Sequence, residues 1–463
     1  MTSYHFVGIG GIGMSAIARV LLARGEAVSG SDLSVTPLVE RLRAEGASIA
    51  IGHHARNVQG AQTLVVSSAI DRRNPERAAA ARLGIPVLHR GEMLARLLAG
   101  RRGIAVCGTH GKTTTTAMTH AVLRRGGTDA GLVLGGIDAA LDSNAHDGTS
   151  PWFVTEADES DGSFALLEPV MAVVTNIEND HLTSDDELPA LARAFAEFLA
   201  KLPEEGLAVI GTDNALAASL TAHELRARVV TYGLDGNASL RAGNLRFAGF
   251  GSKFDVLAGG RPAGKIELQV PGAMNVQNAL AAIAIGMELG LSFAAIAAAL
   301  REFRGVRRRF DVLVCNERAT VVDDYAHHPT AVAATIAAAR RCYAGELIVA
   351  FQPHRYTRTA FLAREFAAAL RGADRVYLVP VYAASEPTIP GVSERSIGEP
   401  LAALGGNVEY AGSIAELERR LFEELPAGAM LLMLGAGDIT EAAARLAHRF
   451  SAPVERRAAP LHA

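Results

Sequence analysis

Cysteine is scarce: the 463 residues contain three, Cys107, Cys315 and Cys342. Their odd number, wide separation and lack of metal-ligand spacing exclude a disulfide scaffold and a structural zinc, and they read as buried or free thiols of a reducing compartment. An excess of charge is missing too, since 45 basic residues face 49 acidic ones for a formal net charge of -4. Bulk attraction to nucleic acid or to a membrane surface is therefore not expected, and any anionic ligand has to be held locally. There is no sustained apolar run. The most membrane-like stretch, 279–300, is interrupted by Gly286, Glu288 and Gly290 and fits two core helices better than a span. The chain enters a strand-like segment at Tyr4–Val7 without the basic region, apolar core and cleavage site of an export signal, so a cytoplasmic protein is expected.

What is present is an α/β pattern. Short β-branched runs alternate with alanine- and leucine-rich helical segments in three successive stretches, as in parallel sheets wrapped by helices. The first has strands ending at Gly8, at Ala27–Gly30, at Thr63–Ser67 and at Pro86–Leu88, with a helix from about Met14 to Ala23. The second has strands at Gly103–Cys107, Trp152–Thr155, Met171–Thr175 and Leu207–Ile210. The third has strands at Thr320–Asp323, Leu347–Phe351, Arg375–Val379 and Met430–Leu434, with a helix at Ala331–Arg341 and a loose tail from Ser451. The expected domains are 1–100, Rossmann-like; 101–304, a mostly parallel sheet of the P-loop ATPase kind; and 305–463, again Rossmann-like.

The strongest local signal is Gly108-Thr109-His110-Gly111-Lys112-Thr113-Thr114, which follows a strand and opens a helix. That order aims backbone amides and a helix N-terminus at a phosphate chain. Lys112 can neutralise terminal phosphate oxygens and the Thr113 hydroxyl can ligate magnesium, which points to ATP with magnesium. The spacing departs from the common G-x-x-x-x-G-K-[ST] form, whose first glycine would fall on Val106. Downstream, EADESDGSF (156–164) and His181 each follow a strand. Alone, the first would be a solvated acidic loop and the second a structural histidine; beside a phosphate loop they become candidate metal ligands. Asn275 and Asn278 stand at the start of an alanine-rich helix, where at least one reads as an N-cap.

Two further patterns flank this centre. Gly8, Gly10 and Gly13, with Asp32 nineteen residues after Gly13, satisfy a dinucleotide fingerprint that by itself would favour an NAD-dependent enzyme. Arg307, Arg308 and Arg309 read either as a solvated basic linker or as an anion contact. DDYAHHP (323–329) and FQPHRYTRT (351–359) gather ionisable groups at strand ends, which suits carboxylate and amine binding.

GTHGKTTTT, EADESDGSF, DDYAHHP, FQPHRYTRT and LGAGDI (434–439) together resemble the Mur ligase family over nearly the whole chain. The resemblance implies an ATP-dependent, amide-forming enzyme of peptidoglycan precursor synthesis. Within the family the spelling is that of the branch joining L-alanine to the lactyl carboxylate of UDP-N-acetylmuramate through an acyl phosphate. It implies that Glu156 and His181, with Thr113, hold magnesium, and that Asn275 and Asn278 contact adenine. The UDP moiety would lie on Gly8, Gly10, Gly11, Gly13, Met14 and Ser15, with Asp32, Ser67 and Ser68. Arg308 or Arg309 would contact phosphate, while His327, Arg355 and Arg358, with Tyr325, would position substrate and amino acid. The chain departs from relatives at Asn179, usually alanine, at Met274, often histidine, and at Arg307, usually glycine. Several other Mur ligases carry a carbamylated lysine where this chain has Ala196, and no lysine lies between His181 and Lys201. A monomer or weak homodimer is expected. Three alternatives stay open: a murein-tripeptide recycling ligase, which usually has tyrosine at the Ser160 position, an NAD-dependent oxidoreductase, and a nonenzymatic nucleotide-binding regulator.

Overall fold

The computed structural model describes residues 2–159, 162–179, 187–234 and 236–451. The chain forms two compact units, one of residues 1–246, 252–270 and 274–306, the other of 247–251, 271–273 and the chain from 307 on. Two sheets share the first unit. The N-terminal sheet has β1 (Ser3–Val7), β2 (Ala27–Asp32), β3 (Ser48–Ile51), β4 (Thr63–Val66) and β5 (Val87–His89), all parallel in the order β3-β2-β1-β4-β5. Its helices are α1 (Ile12–Ala23), α2 (Pro37–Ala44), α3 (Pro75–Leu83) and α4 (Arg90–Leu98). Their starts are legible as cap chemistry: Thr36 and Asn74 each accept an amide hydrogen bond just before a proline at the first helical position, and His89 closes a capping box with Glu92. Each such cap contributes about 1 kcal/mol.

The central sheet comprises β6 (Arg102–Cys107), β7 (Gly131–Asp138), β8 (Ser143–His146), β9 (Trp152–Glu156), β10 (Met171–Val174), β11 (Leu207–Gly211), β12 (Arg228–Gly233), β13 (Leu240–Ala248), β14 (Gly251–Ala258) and β15 (Arg261–Leu268). Their order is β15-β14-β13-β12-β11-β10-β6-β9-β7-β8. Helices α5 (Lys112–Arg125), α6 (Leu188–Leu199), α7 (Ala215–Ser219), α8 (Ala273–Glu288) and α9 (Phe293–Glu302) belong to it. β10 and β11 are buried along their whole length, and β6 along all but its first residue, as in parallel strands covered on both faces. The N-terminal helix α1 packs against the edge of this sheet: Arg19 donates to Ser143 Oγ at 2.7 Å, and Asn144 Nδ2 donates to Ser15 Oγ at 2.8 Å.

The second unit carries β16 (Asp311–Cys315), β17 (Ala319–Asp324), β18 (Leu347–Phe351), β19 (Arg375–Leu378), β20 (Val408–Tyr410) and β21 (Ala429–Leu434), in the order β16-β17-β21-β18-β19-β20 with only β16 antiparallel to its neighbour. It is wrapped by α10 (Pro329–Cys342), α11 (Tyr356–Phe361), α12 (Ala363–Leu370), α13 (Arg395–Ala403), α14 (Ile414–Glu424) and α15 (Ile439–Ser451).

The α/β class and the three sheets agree with the sequence reading; several particulars differ. Helix α1 begins at Ile12, two residues before Met14, and the strands β3, β7, β8, β12 to β16 and β20 were not anticipated. The 279–300 segment is divided at Gly290 between α8 and α9, and among the described residues no helix is long and apolar enough to cross a membrane. All three cysteines are free thiols, Cys107 buried and Cys315 exposed, and the tail from residue 452 lies outside the described residues.

Candidate active site

Parallel pairing brings three strand ends level. Val106 is in register with Glu156, and Cys107 with Val174, so β6, β9 and β10 deliver their C-terminal residues to one edge, where open α/β sheets bind ligands. The turn from β6 into α5 depends on glycine twice. Gly108 has φ +117° and Gly111 φ +85°, and a Cβ would lie 2.2 Å from Thr175 Oγ1 at the first and 2.6 Å from Asn278 Oδ1 at the second. Only glycine tolerates both the backbone and the crowding. The loop is then tied to the segment after β10: Asn176 accepts from the His110 amide at 2.8 Å and donates to its carbonyl at 3.0 Å, while Thr109 Oγ1 accepts from the Glu178 amide at 2.8 Å. The His110 ring lies 3.5 Å from the Glu178 carboxylate. The loop is thus held in shape by protein contacts, with the first amides of α5 at its mouth.

The acidic run divides its labour by position. Glu156, the last residue of β9, accepts from the Thr113 hydroxyl at 3.0 Å and from the Gly135 amide. Asp158 receives Arg90 Nη2 at 2.7 Å, which links α4 to this edge. Glu159 takes Lys112 Nζ on both oxygens, at 3.0 and 2.9 Å, with the lysine also donating to the Gly108 carbonyl at 2.7 Å. Burial opposes the Lys112 charge, but Glu159, then Asp158 and Glu156, outweigh it and hold the pKa above its ordinary value; burial pushes the Glu159 carboxyl up. A hydroxyl and a carboxylate in contact beside a phosphate loop form an all-oxygen donor set, which fits magnesium. His181, the third ligand expected from the sequence, lies outside the described residues.

The two asparagines do not cap α8. The helix starts at Ala273, so Asn275 and Asn278 lie inside it, both buried. Asn278 Nδ2 donates to Asn275 Oδ1 at 3.1 Å, and Thr115 Oγ1 donates to Asn278 Oδ1 at 3.1 Å, so the pair joins α8 to α5 just behind the loop.

In the N-terminal sheet, Gly8 to Gly11 lead from β1 into α1, with Gly11 at the N-cap. Asp32 is turned inward on this loop: its Oδ2 accepts the Gly10 amide at 2.8 Å and its Oδ1 the Leu33 amide at 2.8 Å. Met14 and Ser15 are buried, Ser15 against Asn144, so neither side chain opens outward as a ligand contact. Ser68 Oγ lies 3.1 Å from His89 Nε2, and an added Cβ at Gly13 would stand 3.4 Å from Arg90 Nη1. One short path therefore runs from the SSAI segment through His89 and Arg90 to Asp158.

In the second unit, Asp324 and Phe351 are both in register with Leu434, which levels the ends of β17, β18 and β21. The Tyr325 ring lies beneath both Arg308 and Arg309, at 5.0 and 4.9 Å from their guanidinium carbons. It meets His327 edge-on at 4.9 Å, His327 meets His354 at 5.7 Å, and His354 stacks on Tyr382 at 5.6 Å. Arg358 is buried with Nη1 3.4 Å from His354 Nδ1, whereas the Arg355 side chain is exposed. Arg308 donates to the Gly435 carbonyl at 2.9 Å and approaches Asp323, whose carboxyl burial pushes up to about 6.

Family models cover this architecture piece by piece: the Mur ligase family catalytic domain matches residues 3–102, the Mur ligase middle domain 106–286 and the Mur ligase glutamate ligase domain 308–437. The chain belongs to the Mur ligase family. Among its relatives, the UDP-N-acetylmuramate–L-alanine ligase of Acidithiobacillus ferrooxidans is 48% identical over 95% of this Mur ligase and 96% of its own length. The corresponding enzyme of Solibacter usitatus is 44% identical over 96% of this chain and 94% of its own. The crystal structure of the UDP-N-acetylmuramate–alanine ligase of Thermotoga maritima superposes with a TM-score of 0.84 at 31% identity, covering 97% of this chain and 99% of that one. A murein peptide ligase of Psychrobacter arcticus shares the fold, with a TM-score of 0.74 at 24% identity, over 98% and 100% of the two chains.

Three participants escaped the sequence reading of this Mur ligase: Glu159, Asn176 and Arg90. Glu159 stood in plain view within EADESDGSF, but an acidic run does not say which carboxylate meets which partner. Asn176 and Arg90 carried no motif, and only the sheet order brings them to the edge.

Proposed function

We propose that this Mur ligase joins L-alanine to the lactyl carboxylate of UDP-N-acetylmuramate at the expense of ATP, in the cytoplasm, as a step of peptidoglycan precursor synthesis. The observation that carries this reading is end-to-end likeness to alanine-adding relatives, 48% identity over 95% of the chain in one case. The murein peptide ligase likeness is weaker in both identity and TM-score.

A carboxylate resists an amine because it is anionic and lacks a leaving group. Its oxygen attacks the terminal phosphorus of ATP, ADP departs, and an acyl phosphate results. The L-alanine amine then attacks the acyl carbon, inorganic phosphate leaves and the nitrogen loses a proton. We assign the phosphate chain to the loop of Gly108, Thr109, His110, Gly111, Thr113 and Thr114, in which the Thr109 and His110 amides donate to Asn176 and shape the turn while the first amides of α5 face the phosphates, and to Lys112, whose positive charge offsets what develops on the transferred group. Thr113 and Glu156, with His181 by family resemblance, would hold magnesium, which when bound screens phosphoryl charge. Asn275 and Asn278 are assigned to the adenine end. The glycine loop of β1, with Asp32 shaping it and Ser67 and Ser68 nearby, is assigned to UDP, through the first backbone amides of α1 as far as Met14, the Ser15 amide donating instead to the Gly11 carbonyl. His327, Arg355 and Arg358, with Arg308 and Arg309, are assigned to substrate and amino-acid positioning. The corresponding domains are 1–100 for the UDP substrate, 101–304 for ATP and 305–463 for the amino acid, in a monomer or weak homodimer.

Phosphate release measured with UDP-N-acetylmuramate against a panel of amino acids tests the reading. L-Alanine should stimulate release most strongly. Stimulation by the tripeptide and not by L-alanine would transfer the enzyme to the recycling branch, and no stimulation by any amine would remove the ligase assignment.

A further inference from the structure

Lys112 has a partner that the assigned reaction does not use. Its ammonium carries three protons, and its acceptors are already the Gly108 carbonyl at 2.7 Å, Glu159 Oε1 at 3.0 Å and Oε2 at 2.9 Å, with the Thr109 carbonyl at 3.4 Å. A phosphate oxygen can join Lys112 only by exchange with one of these. The Gly108 carbonyl belongs to a loop fixed by Asn176 and Thr175, and it cannot leave without dismantling the turn. Glu159 is different. It is bidentate, buried, anionic and carried on a side chain with three rotatable bonds, just after the strand end.

We propose that the Glu159 carboxylate is an internal stand-in for the terminal phosphate of the nucleotide, holding Lys112 until ATP binds and giving way to the γ-phosphate. This rests on the reading of 108–114 as a nucleotide loop. Two anions cannot both occupy the face of one ammonium in a partly buried site without strong repulsion, so binding of the γ-phosphate must displace the carboxylate. The exchange taxes ATP specifically. ADP has no terminal phosphate to compete for Lys112 and can lie on the loop amides while the ion pair stays closed. After phosphoryl transfer the pair can close again while ADP is still on the loop.

Calorimetry of ATP and ADP binding to the full-length parent and to Glu159→Gln tests this, with thermal melting to confirm folding and Glu159→Ala as a second variant. Removing the competing charge should tighten ATP binding on the order of tenfold while ADP changes by less than about twofold. An unchanged ATP-to-ADP ratio in both variants overturns the exchange, as does weaker ATP binding, which would make Glu159 a group that steadies Lys112 in the bound state. A parent that binds neither nucleotide takes down the loop reading and this inference with it.

Discussion

The loop after β1 and the loop after β6 start from one local plan: a parallel strand, two or more glycines, and a helix whose first amides face outward. They diverge at the helix start. α1 opens with Ile12 and the charged group nearby, Asp32, is spent on the Gly10 amide. α5 opens with Lys112 and Thr113, backed by Glu159 and Glu156. Both loops can cradle a diphosphate, since amides and a helix terminus suffice for that. Only the second adds a cation, a hydroxyl and carboxylates where charge moves in phosphoryl transfer. The comparison teaches that glycine spacing identifies an anion site and the residues at the helix start decide between holding and reacting. It also explains why the fingerprint at Gly8 to Gly13, read alone, would suggest a nicotinamide enzyme.

The sharpest way to break this contrast is Lys112→Ala. Turnover should fall by at least the ~10²–10³-fold typical of losing one preorganised charge-stabilising donor. The variant should also be less stable, by about 3 kcal/mol, because it leaves Glu159 buried and uncompensated. Lys112→Ala with Glu159→Gln should recover most of the melting temperature and none of the turnover. A double variant that regains activity would show the lysine to be structural.

Next in size is Glu156→Gln. The Thr113 hydroxyl keeps an acceptor, so the fold should hold, but the oxygen set loses its charge. The magnesium concentration for half-maximal turnover should rise at least the 10–100-fold that even an outer contact of a metal site is worth. A magnesium titration superimposable on that of the parent would take Glu156 out of the metal site.

Smaller and differently directed is Asp32→Ala, on the holding loop. The Gly10 and Leu33 amides lose their shared acceptor, so KM for UDP-N-acetylmuramate should rise about tenfold while KM for ATP stays unchanged. If KM for ATP moved as much, the two loops would not be the separate sites described. NAD binding by the parent without uridine-nucleotide binding would return the first loop to the dinucleotide reading.

How much of this was legible in the residues follows the same division. Strands β6, β9, β10 and β11 could be read because parallel strands buried on both faces are continuous apolar runs, and the phosphate loop because glycine, lysine and threonine are each required there. β13, β14 and β15 could not, since their faces alternate or are partly exposed and Gly243 and Gly264 interrupt the first and last of them. The asparagine cap reading failed because the helix begins at Ala273, three residues before the start that an Asn275 cap would require, which turns the cap into an interior position. The roles within EADESDGSF needed the strand end itself: Glu156 is on β9 and faces Thr113, whereas Asp158 and Glu159 follow it and turn to Arg90 and Lys112.

The last prediction concerns an effect expected to be absent. Several other Mur ligases place a carbamylated lysine about fifteen positions after the histidine matching His181, and its carbamate oxygen helps to hold a second magnesium. Here that position is Ala196, on α6, packed with Phe195, Phe198 and Ile177 in an apolar cluster. Lys201, beyond the end of the helix, is exposed and donates to the Ala165 carbonyl. Carbamylation needs an unprotonated amine and a site that stabilises the anion formed, and an alanine in an apolar cluster supplies neither. Under the proposed assignment a second magnesium would rely on His181, substrate phosphate oxygens and water, so its affinity should depend strongly on bound nucleotide and substrate. Turnover should accordingly be the same in buffer stripped of carbon dioxide and bicarbonate as in untreated buffer. A loss on degassing that added bicarbonate restores would mean that a different lysine is carbamylated, and that the family match through this segment is out of register.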